Sequence, residues 1–364
     1  MRICVICSGF SHIYGGLEAV IFSLSESWAR KGHEVFILSG RGEKTGPKGV
    51  RLIKLPYIRS EYFLKIPLVT KIFWAADFEG LSILPFALLY LIGEKPDIVL
   101  SNGLAETLPA LILNIPSVMI SEAPIRSRFN VFKKVDKVIV NDFQSRETLE
   151  KNGIKTKLIL NGVNASVQET NLEKLRAKYK ISSASKIFLT VARLDTNKRI
   201  KLLIEAFRLI EQDAALIIVG DGPELAALRK QASSIKSRNR IYFVKPMPQE
   251  QLKKLYQLCD VFTLPSKLEG MPLVLIEALS FGKVVVTNPA PEKKFILGKY
   301  GVFTNVENAN DYSQSLLRAT LIKIDVNSPD YRRHMKKFSW TQISQQYIEV
   351  FHEVLRKRAI LVRK

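Results

Sequence analysis

Apolar positions in the first half of the chain follow two alternating rhythms. Short, mostly β-branched runs at 3–7, 35–38, 97–100, 117–120 and 137–140 predict strands. Between the first two, residues 17–31 carry helical spacing, with Val20, Ile21, Leu24 and Trp28 on one face. After a polar stretch around 161–172 the rhythm restarts. Strands are expected at 186–191, 216–219, 241–244, 261–264 and 284–287. Helices are expected at 200–210, after GDGP to about 230, at 249–256 and at 272–280, with a last amphipathic helix at 341–358. Strand, helix, strand in this order predicts parallel sheets with crossover helices. The chain is therefore read as α/β, with two doubly wound units hinged near 161–185.

The length of 364 residues agrees with two domains. A hydrophobic fraction of 47% excludes a disordered chain. Three cysteines cannot staple a chain of this size, which fits a reducing, cytoplasmic setting. The spacing of Cys4 and Cys7 is that of a CxxC pair, but on an apolar strand with no second pair, and reads as core. The apolar stretch 81–92 is too short to span a bilayer and contains Pro85. The opening MRICVICSGFSH reads as a first strand rather than a signal peptide.

Charge changes the picture. Lys and Arg number 55 against 34 acidic residues, a net charge of +21 that favours anionic partners. No RNP-like, helix-turn-helix or zinc-finger pattern accompanies it, which argues against a nucleic-acid-binding protein. The stretch 57–74 interleaves Arg59, Lys65 and Lys71 with Phe63, Phe73 and Trp74, as an interfacial segment on anionic lipid would. The same stretch also fits a core helix and loop with charges at its rim.

Three segments carry candidate chemistry. Gly15 and Gly16 follow the first strand and open a helix, where backbone N–H groups can approach a phosphate. By itself that segment fits a plain tight turn equally well. Arg193 and Lys198 follow the strand at 186–191 and can face one anion, a guanidinium and an ammonium suiting a diphosphate. Cations at a helix start oppose its dipole, so they invite a functional reading. The most specific segment is PSKLEGMPLVLIEA. Glu269 lies on its loop and Glu277 in the following helix, and carboxylates accept hydrogen bonds from sugar hydroxyls. The N–H groups of Leu273 and Val274 can receive a phosphate.

Taken together these segments resemble glycosyltransferase family 4, the retaining, nucleotide-sugar-dependent enzymes of the GT-B fold. GGLEAVIFSLSESWARKGHEVFIL, KPDIVLSNG, VDKVIVNDFQSRETLEKNGI with LILNGVN, VARLDTNKRIKLLIEAF, IIVGDGPELAALRKQ, LPSKLEGMPLVLIEALSFGKVVV and KFSW occur in family order. The resemblance implies an acceptor-side Rossmann-like domain at 1–165, a nucleotide-sugar domain at 166–340, a deep cleft between them, and a C-terminal helix and basic tail at 341–364 crossing back to the first domain. It implies a hexosyltransferase that passes sugar to a glycan or lipid-linked acceptor, peripheral on the cytoplasmic face of a membrane. Gly15 and Gly16 would approach the donor diphosphate, and Arg193 and Lys198 would neutralise it. Glu277 would bind the ribose. Glu269, with the backbone of Gly270 and Met271, would hold the transferred sugar. Leu273 and Val274 would touch the distal phosphate, and Val244, Lys245 and Pro246 would lie against the base. No cofactor or metal is expected, since no histidine has ligand spacing and the two cations can supply the charge.

The sequence departs from the family pattern in places. Glu122, in PSVMISEAP, stands where a histidine is common near the transferred sugar, and could act as a base or bind hydroxyls. Lys245 replaces a usual glycine. TNPAPEKKF lacks the glycine-rich acceptor-side stretch, although Glu292 keeps the acidic position. A sugar-nucleotide epimerase of the same fold is the competing reading, and the paired glutamates argue against it. A nicotinamide dehydrogenase is disfavoured by the missing GxGxxG.

Overall fold

The computed structural model describes residues 1–12, 16–58, 75–121, 132–163, 170–234 and 239–362. They form two compact units, one of residues 1–162 and 337–364, the other of residues 163–336.

The first unit is built on β1 (Arg2–Ile6), β2 (Glu34–Gly40), β3 (Arg51–Leu55), β4 (Ile98–Asn102), β5 (Ser117–Ser121), β6 (Lys137–Val140) and β7 (Thr156–Leu158). All pair parallel, in the order β3-β2-β1-β4-β5-β6-β7. Ile3 sits opposite Val35 on one side and Ile98 on the other. The order reverses between β1 and β4, which opens a crevice at their carboxyl ends, the usual ligand position in such sheets. The helices are α1 (Gly16–Arg30), α2 (Ala75–Glu94), α3 (Leu104–Ile112) and α4 (Phe143–Lys151). Val20, Ile21, Leu24 and Trp28 form the buried stripe of α1, as their spacing predicts. Cys4 and Cys7 are both buried and free, as core residues.

The C-terminal helix, Trp340–Val362, packs on α1 of this same unit. The Trp28 indole N–H donates to the Ser344 carbonyl at 3.1 Å, and its ring meets Tyr347 and Phe351 at centroid distances of 5.9 and 5.3 Å. At the other end Arg358 grips Asp136, Nε to Oδ1 at 2.7 Å.

The second unit contains β8 (Lys186–Val191), β9 (Ala214–Val219), β10 (Arg240–Val244), β11 (Val261–Leu264), β12 (Val284–Thr287) and β13 (Gly301–Phe303). They too are all parallel, ordered β10-β9-β8-β11-β12-β13, with the reversal between β8 and β11. The helices are α5 (Leu172–Lys178), α6 (Ile200–Arg208), α7 (Leu225–Ser233), α8 (Gln249–Leu258), α9 (Leu273–Ser280), α10 (Pro291–Leu297), α11 (Ala309–Ala319) and α12 (Pro329–Lys336). One face of the sheet is sealed by Leu203, Ile204, Phe207, Tyr312 and Leu316. Two such sheets in one chain are the α/β architecture that the alternating pattern predicts.

Candidate functional site

In the second unit the loops leaving β8 and β11 are bonded to each other. Asn197 is the hub. Its Nδ2 donates to the Leu268 carbonyl at 2.8 Å, and its Oδ1 accepts from the Leu268 N–H at 3.1 Å. The Asn197 carbonyl accepts from the Lys267 N–H at 2.8 Å. Arg199 adds a bond from Nε to the Pro265 carbonyl at 2.8 Å and an ion pair with Glu307 at 2.8 Å. Those contacts hold Arg199 at φ 51°, a left-handed conformation that residues other than glycine rarely adopt. On the opposite side the Leu194 N–H donates to the Asp221 carbonyl, and the Glu224 N–H donates to the Leu194 carbonyl. A side chain at Gly220 or Gly222 would collide with the carbonyls of Ala192 and Leu194, which explains the glycines of GDGP.

Lys198 and Glu269 meet across this junction, Nζ to Oε1 at 2.6 Å, with side chains 20% and 11% exposed. A pair so withdrawn from water is strongly directional. Arg193 is not drawn into it. Its side chain is 75% exposed and stands 3.7 Å from the Asp195 carboxylate. The helix-start reading of these two cations is corrected by the structure. Asp195 accepts from the N–H groups of Asn197 and Lys198, winding a 3-10 turn at Thr196–Lys198. Left-handed Arg199 then separates that turn from α6, so neither cation lies on the first turn of the helix.

Glu277 lies in the second turn of α9. Its Oε1 accepts from Gln249 Nε2 and its Oε2 from the Tyr256 hydroxyl, each at 2.7 Å. Burial raises the Glu277 carboxyl above its ordinary range, and the two hydrogen bonds pull the other way. Tyr256 is buried and stacks on Phe281 at 5.8 Å, which fixes its hydroxyl. Pro272 precedes α9, and no side chain caps the opening residues Leu273 and Val274. Gly270 and Met271 are half-buried on the loop before it. Val244 ends β10, its carbonyl accepting from the Gly220 N–H at 2.9 Å, with Lys245 and Pro246 exposed beyond it.

In the first unit Gly16 begins α1 and is exposed, whereas Gly15 and Glu122 lie outside the described residues. The loop after β1 is instead tied down by Glu106 of α3. The Ser8 amide and hydroxyl donate to its Oε1 at 2.7 and 2.5 Å. The other oxygen is buried as well. Gly103, at φ 115°, opens α3 in a conformation that favours glycine.

Sequence reasoning finds the paired glutamates and the two cations but not their holders. Gln249 and Tyr256 are seven apart on α8 and so share a face, a signal that was legible. Asn197 pairs with a residue 71 positions away and leaves no local trace.

Two parallel Rossmann-like units in one chain define the GT-B class, and solved structures agree. The fold matches Anabaena Alr3699/HepE in complex with UDP and glucose, with a TM-score of 0.73 at 18% identity over 97% of this chain and all of that one. Sucrose-phosphate synthase from Thermosynechococcus elongatus gives a TM-score of 0.76 at 19% identity, covering 98% and 99% of the two chains. The family model for glycosyltransferase family 4 matches residues 14–167, and that for glycosyl transferases group 1 matches residues 171–337. The chain belongs to glycosyltransferase family 4. Among characterised relatives, the alpha-monoglucosyldiacylglycerol synthase of Streptococcus pneumoniae is 25% identical over half of this chain and 40% of its own length. A Campylobacter jejuni N-acetylgalactosaminyltransferase, named for a diphospho-undecaprenol acceptor, is 27% identical over 61% of this chain and 62% of its own length. The matches thus span between 40% and 62% of these two relatives.

Burial pushes the Glu106 carboxyl up to about 7, while the Ser8 hydrogen bonds oppose it. Unfolded, the group ionises in the ordinary carboxylate range, roughly 4.3. The folded state therefore holds the extra proton, and this contribution to stability is full below that range and lost as pH rises towards about 7. Glu106→Gln keeps an acceptor for Ser8 and cannot ionise. Its unfolding free energy relative to the unchanged protein is expected to rise between pH 5 and pH 8. Urea unfolding at both values checks this; an identical difference at the two pH values is the contrary result.

Proposed function

We propose that this protein is a retaining hexosyltransferase that moves a sugar from a nucleoside-diphosphate sugar to a glycan or lipid-linked acceptor. The observation that carries the reading is the placement of Lys198, Glu269 and Glu277 on loops and a helix at the carboxyl edge of one parallel sheet. The complexes of Anabaena Alr3699/HepE with UDP and UDP-glucose support a nucleotide-sugar donor. The relatives named for a diacylglycerol product and for a diphospho-undecaprenol acceptor support a lipid-borne acceptor.

In this reading each residue has a task. Glu277 accepts the ribose hydroxyls with the lone pairs that Gln249 and Tyr256 leave open. Glu269, with the backbone of Gly270 and Met271, holds the transferred sugar. The amides of Leu273 and Val274 meet the distal phosphate, and Val244 lies against the base. Transfer breaks the bond between the sugar's anomeric carbon and the diphosphate oxygen, and forms one from that carbon to an acceptor hydroxyl oxygen, whose proton passes to the departing diphosphate. Negative charge grows on the departing diphosphate, where Arg193 and Lys198 stabilise it without a metal ion. Glu122 serves the acceptor side.

The setting is the cytoplasmic face of an anionic membrane. No helix among the described residues is long and apolar enough to cross a bilayer. Leu89 is 69% exposed on α2, and Phe86, Tyr90 and Ile92 accompany it. With the +21 charge and the basic-aromatic stretch 57–74, most of which lies outside the described residues, this favours surface attachment.

Proton NMR of the reaction tests the central claim. The product is expected to keep the donor's anomeric configuration and to form in the presence of EDTA. Inversion, loss of turnover on chelation, or epimerisation of the donor without acceptor would each contradict it. Glu277→Gln is expected to weaken free nucleotide and nucleotide-sugar alike. Glu269→Gln is expected to spare the free nucleotide and reduce transfer. Calorimetric titration separates them, and equal losses for the free nucleotide would refute the division of roles. Vesicle flotation tests the membrane: binding should need anionic lipid, weaken with salt and fall in a triple variant carrying Arg59→Glu, Lys65→Glu and Lys71→Glu. Indifference to anionic vesicles at low salt would end the membrane reading.

A further inference from the structure

Lys293 is not among the residues that carry the proposed donor contacts. It sits on α10, next to Glu292, in a position where a lysine would ordinarily reach water. It is 0% exposed. A buried ammonium is costly unless each of its hydrogens finds an acceptor. Here all three do. Nζ donates to the Ser266 carbonyl at 2.8 Å, to Ser266 Oγ at 3.2 Å and to Asn288 Oδ1 at 2.8 Å. Ser266, itself wholly buried, lies two residues beyond β11 at the root of the loop that carries Glu269. Asn288 follows β12. One side chain therefore ties together the segments that follow two neighbouring strands.

We propose that Lys293 is a positioning residue for the sugar donor, setting the stance of Glu269 and of the opening amides of α9 and adding its charge to the field that receives the diphosphate. The inference rests on the transferase reading above.

The electrostatics agree with the geometry. Burial drives the Lys293 ammonium down to about 8, helped by Arg199 and Lys198, while Glu269 and Glu292 hold it up. A diphosphate arriving beside Lys198 adds negative charge and favours the protonated form. Binding near pH 8 should then take up protons, and only while position 293 can titrate.

The test combines a readout that needs no ligand with one that does. In the free protein, amide hydrogen exchange across 266–275 is expected to quicken about tenfold in Lys293→Met and less in Lys293→Gln, which keeps an N–H donor. Calorimetry with UDP, GDP and ADP, in buffers of different ionisation enthalpy at pH 8, is expected to show proton uptake in the unchanged protein and none in either variant. Affinity should fall about tenfold in Lys293→Met. Unaltered exchange, or faster exchange with affinity and proton uptake intact, overturns the positioning role and leaves the transferase reading standing. If the unchanged protein binds none of the three nucleotides, the donor reading fails and this proposal with it. Should Lys293→Met not fold, Lys293→Gln decides by the same two measurements.

Discussion

Two loops leaving neighbouring parallel strands in opposite directions have no reason of their own to meet. In the second unit Asn197 makes them meet. Its side chain bonds both the N–H and the carbonyl of Leu268, and its backbone takes the Lys267 N–H. The rest of the site follows from that junction. Lys198, the next residue, is delivered to Glu269, and Arg199 is forced into a left-handed turn that lets α6 begin directly afterwards. The crevice that a doubly wound sheet opens between β8 and β11 is thereby lined with charge held in fixed geometry rather than with mobile loop side chains.

The other carboxylate is fixed by different means. Glu277 is held from α8, by an amide and a phenol on one helix face, with the Lys253 ammonium of the same helix acting only through its field. The two glutamates that look alike in sequence therefore differ in electrostatics. Glu269 is in direct contact with an ammonium, whereas Glu277 is desolvated and hydrogen-bonded by two neutral donors. In the proposed reading the second setting suits a carboxylate that accepts from ribose hydroxyls, and the first suits one that holds the transferred sugar beside the cation meeting the diphosphate.

Much of this fold was legible in the pattern of apolar residues, for a physical reason. Strands β8, β11 and β12 are buried along most of their length and read as mostly apolar runs, so their expected and observed limits coincide. The edge strands β3, β7 and β13 were not legible. Each is short and incompletely buried, and Arg51, Lys54 and Lys157 interrupt the pattern in the first two. The helix α2 showed only its apolar middle, because Pro85 reads as a breaker from sequence but is accommodated within the helix. At the site, residue types were legible and partnerships were not. Glu269 and Glu277 announce themselves by type and spacing, but nothing local to Asn197 or Lys293 says what either of them will hold.

The measurement that bears most directly on this account is the affinity of the second unit's charged loops for a nucleoside diphosphate. The Arg193 side chain is 75% exposed, so Arg193→Ala removes a charge at little cost to packing. Lys198→Ala removes the cation that Glu269 holds. Titrating UDP, GDP and ADP by calorimetry into both variants and the unchanged protein should show losses of about 1.5–3 kcal/mol for the preferred nucleotide, roughly ten- to a hundredfold. Unchanged affinity in both variants would place the diphosphate elsewhere and contradict the account.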